Sequence, residues 1–196
     1  MPTPVGHSLM GLILYTERKG VNWNLNWKDM LLFLLVANLA DIDFLPGFLA
    51  GNPNKFHHGM THSISFAVLS GTVLGLIYYL KERKDFLKYF SIFSIVYFSH
   101  LVLDYFGKDT KFPFGEQLFW PFSKNFFLSP IALFSDVSKA SSSDIFIQSL
   151  FNWHNLGTVI LEVAIFLPIL WLVKFLNNRK QSKETKTNQT RRILTD

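Results

Sequence analysis

Histidines and carboxylates at metal-ligand spacing are the residues of this sequence that indicate chemistry. His100 and Asp104 are four positions apart in an apolar stretch, so in a helix both side chains leave the same face. His58 and His62 have the same spacing. Side chains placed one helical turn apart in this way can share a divalent cation. Because the chain contains no cysteine, a zinc-like site would use only imidazole nitrogens and carboxylate oxygens.

Two further aspartates, Asp41 and Asp43, follow the second apolar stretch with one residue between them. Carboxylates held this close repel each other unless a cation lies between them. Asp104 ends an apolar helix, where an unpaired buried charge is costly. The alternative interpretation treats Asp-x-Asp as a turn signal and each interfacial histidine as a solvent-exposed side chain. The set as a whole favours a metal site, in which Asp41 or Asp43 acts as the catalytic base.

The elements that must position these residues are apolar helices. Three stretches, 64–80, 86–106 and 156–176, have about the ~20 residues that span a hydrocarbon core. Two shorter ones, 4–15 and 30–40, either reach part of the way across or span with the help of flanking residues. With 49% hydrophobic residues, the chain has more apolar surface than a soluble domain of this size buries. We predict an all-α integral membrane bundle of about five helices, three long and two short, with a long extracytoplasmic loop.

The distribution of lysine and arginine sets the orientation of this bundle. Threading five segments through a membrane places 14 of the 19 Lys and Arg residues on one side. The positive-inside rule makes that side cytoplasmic, so the N-terminus lies outside and the C-terminus inside. All six histidines then lie at the outer ends of their segments. Residues 1–176 form the membrane-embedded domain in this interpretation, and residues 177–196 form a disordered basic cytoplasmic tail.

Other functional classes fit the sequence less well. A net charge of +5 does not indicate a nucleic-acid partner, because topology and anionic lipid account for the cytoplasmic cations. A non-enzymatic metal carrier or transporter would place ionisable residues near the bilayer centre, where only Glu162 approaches. A structural role, in which histidines and aspartates merely pair, is a third interpretation. The sequence does not predict the roles of His58, His154 and Glu162, the substrate, or the oligomeric state.

Five short motifs occur in a fixed order between about residues 5 and 125. They are Gly6-His7, Leu39-Ala40-Asp41-Ile42-Asp43, His57-His58-Gly59-Met60-Thr61-His62-Ser63, His100-Leu101-Val102-Leu103-Asp104 and Trp120-Pro121-Phe122-Ser123. In this order they resemble the YdjM-like family of membrane-bound, metal-dependent hydrolases of bacteria. Two positions depart from the family pattern: Ala40 stands in place of a proline, and His58 in place of an arginine.

The resemblance implies a multi-pass protein of the bacterial inner membrane that hydrolyses a phosphoester or lipid-like substrate through a metal-activated water. It implies one or two divalent ions, zinc first among them, and favours His57 over His58. The implied ligands are His7, Asp41, Asp43, His57, His62, His100 and Asp104. A more distant similarity, through the His100-x-x-x-Asp104 turn, is to the zinc-dependent phospholipase C and nuclease families. The partners expected are a membrane lipid or a small phosphoester, and no nucleic acid.

Overall fold

The structure is a computed structural model that describes residues 1–20, 25–83, 85–111 and 114–195, without the side chains of Glu82 and residues 184–195. The described residues contain α-helices, two short 3₁₀ turns and no strand. The helices are α1 (Pro4–Gly20), α2 (Trp27–Ala37), α3 (Phe44–Leu49), α4 (Ile64–Glu82), α5 (Phe86–Tyr105), α6 (Ser143–Ser149) and α7 (Trp153–Thr195). The predicted all-α class is confirmed. The predicted number of about five helices is not, because the short helices α3 and α6 add to the long ones.

Three of these helices, α4, α5 and α7, are long and apolar enough to cross a membrane. A fourth span results if α2 and the segment Leu39–Leu49 are taken together, with a bend of 57° at the break between them. Large apolar side chains on these helices remain exposed, with Leu80 at 59% and Trp171 at 66%. Such a surface is unfavourable in water, so hydrocarbon is its natural solvent.

Helix α5 is the centre of the bundle. It packs along α4 at very short range, since a Cβ atom added at Gly75 would lie 2.9 Å from the backbone nitrogen of Phe90. Phe93 of α5 also meets Phe33 of α2 edge-to-face, with ring centroids 5.6 Å apart. Glycine on α4 therefore permits the close approach, and aromatic packing fixes α2 against the same helix. This arrangement buries the last turns of α5.

Glu162 joins α7 to the start of α1. Its fully buried carboxyl group accepts hydrogen bonds from the backbone nitrogen of Thr3, at 2.6 Å, and from the Thr3 hydroxyl. Gly6 gives the carboxyl group room, because a Cβ atom there would lie 2.9 Å from Glu162 Cδ. A carboxylate is also favourable at a helix N-terminus. Glu162 therefore anchors the first turn of α1, which carries His7.

The stretch between α5 and α6 has no helix in its described residues. It folds back on itself through two isolated bridges, Gly107 with Phe134 and Glu116 with Phe127. The backbone nitrogen of Gln117 donates to the carbonyl of His58 at 3.1 Å, which ties this stretch to the loop before α4. The extracytoplasmic position of the loop stays a prediction.

The helical backbone of α7 continues to Thr195. The predicted domain boundary at residue 177 stays a prediction, because the basic tail lies partly outside the described residues: its side chains are described only to Lys183, and Asp196 is not described. Lys84, which belongs to one of the basic loops used to predict the topology, also lies outside them.

Candidate metal centre

Four elements meet at one end of the bundle and bring the predicted ligands together. They are the first turns of α1, the 3₁₀ turn Leu39–Asp43, the last turn of α5, and the segment 57–63, here called the histidine loop. Together they place all seven predicted residues in one cluster: His7, Asp41, Asp43, His57, His62, His100 and Asp104. His58 belongs to the same cluster. His154 does not: it is exposed, and its Nε2 lies 3.3 Å from Asp136 Oδ1.

Asp104 is at the centre of this cluster. Its Oδ2 lies 3.2 Å from His100 Nε2 and 3.4 Å from His62 Nε2. Its Oδ1 lies 3.4 Å from His7 Nε2, and His58 Nε2 approaches Oδ2 to 3.7 Å. Four imidazole nitrogens thus surround one carboxylate that is only 4% exposed. Nitrogen and carboxylate atoms converging in this way form a donor set that could hold a metal ion.

Several of the converging atoms make no hydrogen bond within the described residues. They are both nitrogens of His7, Asp41 Oδ1, His58 Nε2 and both oxygens of Asp104. A buried polar atom without a partner costs about 1–3 kcal/mol, so this many in one place calls for a common partner. The ligand atoms of His7, Asp41 and His100 lie within 4.8 Å of one another, as do those of His62, His100 and Asp104. A divalent cation fits both groups.

The backbone fixes the orientation of His100. Its Nδ1 lies 2.8 Å from the carbonyl oxygen of Ala37 at the end of α2. Because a carbonyl only accepts hydrogen bonds, Nδ1 carries the proton, and Nε2 of the neutral ring presents a lone pair. That Nε2 lies 3.2 Å from Nε2 of His62. Hydrogen bonding of the other ring nitrogen in this way is typical of histidines that bind metals.

The two predicted catalytic aspartates have different surroundings. Asp43 is saturated: its Oδ1 lies 3.0 Å from His57 Nδ1, and its Oδ2 accepts from the backbone nitrogen of His58 and from the Thr61 hydroxyl, each at 3.1 Å. Asp41 has an unbonded Oδ1, which lies 3.7 Å from His62 Nε2. Asp43 therefore orients the histidine loop, whereas Asp41 has a free oxygen for a ligand or a proton.

The histidines of the histidine loop differ in pKa, because burial and the nearby aspartates affect them unequally. Burial lowers the pKa of His58, and that of His57 further, so both rings are neutral and able to bind metal at neutral pH. At His62 burial also lowers the pKa, but the nearby carboxylates of Asp43, Asp104 and Asp41 outweigh it, and the pKa is raised well above 6.5. Without a cation, a proton on His62 balances the negative charge of the cluster.

The fold adds residues that sequence reasoning missed. Asp109 Oδ2 lies 3.4 Å from His58 Nδ1. Glu116 is 1% exposed, and neither of its carboxyl oxygens has a hydrogen bond within the described part of the chain. Lys139 stands 4.9 Å above the Phe44 ring, and burial lowers its pKa to about 8. All three lie in irregular stretches, where no periodic pattern could have identified them.

A cavity of about 720 Å³ opens beside the cluster. Asp43, His57 and Lys55 are among the residues that line it. Its other walls are mostly apolar: Ile42, Leu45, Pro46, Phe56, Met60 and Phe126. The cavity is large enough for a small molecule, and its lining suits one with an apolar part.

The comparisons with known proteins concern most of this bundle. A family model described as YdjM inner membrane protein matches residues 1–180, a range that includes every residue of the cluster and the cavity beside it. No curated protein and no solved structure matches the chain significantly.

Proposed function

Since the chain belongs to the YdjM inner membrane protein family, we propose that its buried cluster makes it a membrane-bound, metal-dependent hydrolase. One observation carries this proposal: buried nitrogens and carboxylate oxygens of His7, Asp41, His58 and Asp104 converge without hydrogen bonds. Zinc suits a donor set of imidazoles and carboxylates without thiolate. One or two divalent ions would be held by ligands drawn from the seven predicted residues, with Asp104 at the centre. Asp43, whose two oxygens are both occupied, would orient its neighbours.

The residues of the chain have separate roles in this chemistry. A bound divalent ion supplies a water whose pKa falls from ~15.7 towards ~7. Asp41 has an unbonded Oδ1 and would act as the base through an oxygen that does not hold the ion. Asp43 holds His57 and His62 in their orientations through both its oxygens. The buried ammonium of Lys139 balances the carboxylates and favours negative charge that develops on the substrate.

The cavity supports a phosphoester or lipid-like substrate. Its apolar walls suit a hydrocarbon part, and Lys55 provides a cation for an anionic group. A second, apolar groove of about 410 Å³ between α2 and α4 shares Ile42 with this cavity, so hydrocarbon surface continues from the site towards the membrane. We place the site on the outer face of the inner membrane, because lysine and arginine concentrate on the opposite side.

The test is made on the full chain purified in detergent. Bound metal is measured by elemental analysis, and hydrolysis is measured with phospholipid vesicles and with a soluble phosphoester. The wild type should hold stoichiometric metal and hydrolyse at least one substrate. Asp104→Asn and His100→Gln should lose both properties. His154→Gln is the matched control, because it removes an exposed imidazole outside the cluster and should keep both.

The rival function, a metal carrier or transporter, predicts a different result. A wild type that holds metal and hydrolyses no ester would favour carriage. The fold supports this rival less. Glu162, the carboxylate within the apolar part of α7, accepts a hydrogen bond from the backbone nitrogen of Thr3 and is therefore not available to a transported ion. A wild type without metal after repletion would refute the hydrolase at its first step. A reporter fused to the C-terminus tests the sidedness.

A further inference from the structure

The short helix α3 has one packed face and one exposed apolar face. Phe44 stacks on the ring of His57, and Phe48 packs edge-on against an aromatic ring of α6. Leu45 and Leu49, four positions apart, share the opposite face, and Leu49 is 92% exposed. The helix contains no charged residue. Its outward face is therefore wholly apolar, although α3 is not one of the three long spans.

A second exposed apolar surface lies at residues 150–153, here called the α6–α7 connection. Phe151 is 83% exposed, and Trp153, which begins α7, is exposed to a similar extent. Both side chains line a surface groove of about 510 Å³. Large apolar side chains grouped on a surface in this way indicate an interaction site.

Helices α3 and α6 are attached to each other. The ring of Phe146, the buried side chain of α6, lies 5.1 Å from the ring of Phe48 and 5.5 Å from that of Phe44. Ser143, at the start of α6, donates from its hydroxyl to the carbonyl of Phe48 at 3.1 Å and from its backbone nitrogen to the carbonyl of Gly51 at 3.2 Å. The two exposed surfaces therefore belong to neighbouring elements at the cluster end of the bundle.

The spans that adjoin these elements indicate what covers them. Helix α7 is apolar enough to cross a membrane and begins at Trp153, so the α6–α7 connection lies where this span meets the membrane surface. Tryptophan at such a position is typical of the headgroup level. Helix α2 begins beside the exposed Lys28, and its 11 residues cover about 16 Å of a hydrocarbon core of ~30 Å. The chain is therefore still at membrane depth where α3 follows, and Leu39–Leu49 passes with α2 as a bent apolar span.

We infer that α3 and the α6–α7 connection lie in the lipid leaflet at the cluster end of the bundle, at the boundary between acyl chains and headgroups. Their lipid contacts are Leu45, Leu49, Phe151 and Trp153. Leu45 and Pro46 also line the cavity beside the cluster, so α3 is both a wall of this cavity and a lipid contact. The inference rests on the membrane location of the family and not on the proposed hydrolysis.

The test measures the surroundings of single spin labels in a bilayer. Because the sequence contains no cysteine, Leu49→Cys and, separately, Phe151→Cys each give one labelling position. The full chain is reconstituted into vesicles of phosphatidylethanolamine and phosphatidylglycerol. Electron paramagnetic resonance then measures collisions of the label with oxygen, which concentrates in lipid, and with a water-soluble nickel chelate. Two exposed positions on α7 are the references: Trp171→Cys within its apolar part, and Lys180→Cys beyond it.

Both test labels should have a ratio of oxygen to nickel collisions several-fold above that of Lys180→Cys and close to that of Trp171→Cys. A ratio equal to that of Lys180→Cys at either test position places that side chain in water and overturns the inference. Few collisions with either reagent would mean that protein covers the surface, as a second copy of this chain or another protein, and would overturn it too. Each native side chain is exposed, so its replacement should leave the fold intact, and Leu45→Cys on the same face of α3 decides if Leu49→Cys misfolds. None of these outcomes alters the metal and hydrolysis assays, which test the hydrolase separately.

Discussion

Replacing Glu162 by alanine tests whether this carboxyl group anchors α1 or binds metal. Its side chain is fully buried, and it accepts hydrogen bonds from the backbone nitrogen and the hydroxyl of Thr3. Glu162→Ala leaves two buried donors unpaired, at about 1–3 kcal/mol each in soluble proteins. Hydrogen bonds inside membrane proteins average less, about 0.6 kcal/mol. We therefore expect a loss of about 2–4 kcal/mol in the free energy of unfolding.

For a chain of this size, 1 kcal/mol corresponds to about 2–4 °C in melting temperature, so Glu162→Ala should lower it by about 5–15 °C. The assay is thermal unfolding in detergent, followed by tryptophan fluorescence, with metal content measured on the same sample. Thr3→Val and the double variant complete a mutant cycle, in which the two single effects should not add. The stoichiometry of bound metal should be unchanged in all three variants.

Two results would refute this reasoning. A melting temperature within about 2 °C of the wild type would show that the hydrogen bonds to Thr3 contribute little. Loss of bound metal at an unchanged melting temperature would make Glu162 a ligand rather than an anchor. Leu161→Ala, which truncates the exposed neighbouring side chain on α7, is the control for changes on that helix.

Three further outcomes follow from the packing and charge of the bundle. Tyr97→Phe removes a hydroxyl that donates to the Thr61 carbonyl of the histidine loop at 2.7 Å. The variant should be less stable by about 1 kcal/mol. It should also lose bound metal faster to a chelator, as measured by competition. Gly75→Leu forces a side chain into the backbone of Phe90 and should cost about 1–3 kcal/mol or more, measured as a lower melting temperature; an unchanged value would contradict the packing of α4 on α5. In the metal-free protein, the raised pKa of His62 means that the folded state keeps a proton on this ring that the unfolded state loses above pH 6.5. The melting temperature should therefore fall as the pH rises from 6.5 to about 8, the pH near which Lys139 begins to lose its proton. A rise in melting temperature over this range would contradict the prediction.

The sequence predicted the parts of the site that regular structure determines. His100 and Asp104 share a face because α5 is helical there, and hydropathy alone identified α4, α5 and α7 as spans. The short helices α3 and α6 were missed because six or seven residues carry too little periodic signal.

The part of the site that was not predicted depends on irregular backbone. Asp109 reaches His58 only because its loop folds back through bridges and through the hydrogen bond from Gln117 to His58. The inward turn of His58 requires a positive φ, which no spacing rule indicates. The family resemblance favoured His57, whereas the structure brings both rings to carboxylates: His57 to Asp43, and His58 to Asp104 and Asp109. Which ring binds metal stays a prediction.

The break between α2 and α3 has a consequence for how this span could be redesigned. In a continuous α-helix, side chains two positions apart point about 160° away from each other, whereas in a 3₁₀ turn they are about 120° apart. Because the break is a 3₁₀ turn, Asp41 and Asp43 both reach His62, at 3.7 Å and 3.0 Å, and approach its two ring nitrogens separately. A straight, idealised helix here would point one of the two carboxylates towards lipid. One ring nitrogen of His62 would then have no carboxylate beside it. A redesign that seeks a more stable span must therefore keep the 3₁₀ turn Leu39–Asp43, because a regular helix there would separate the two carboxylates.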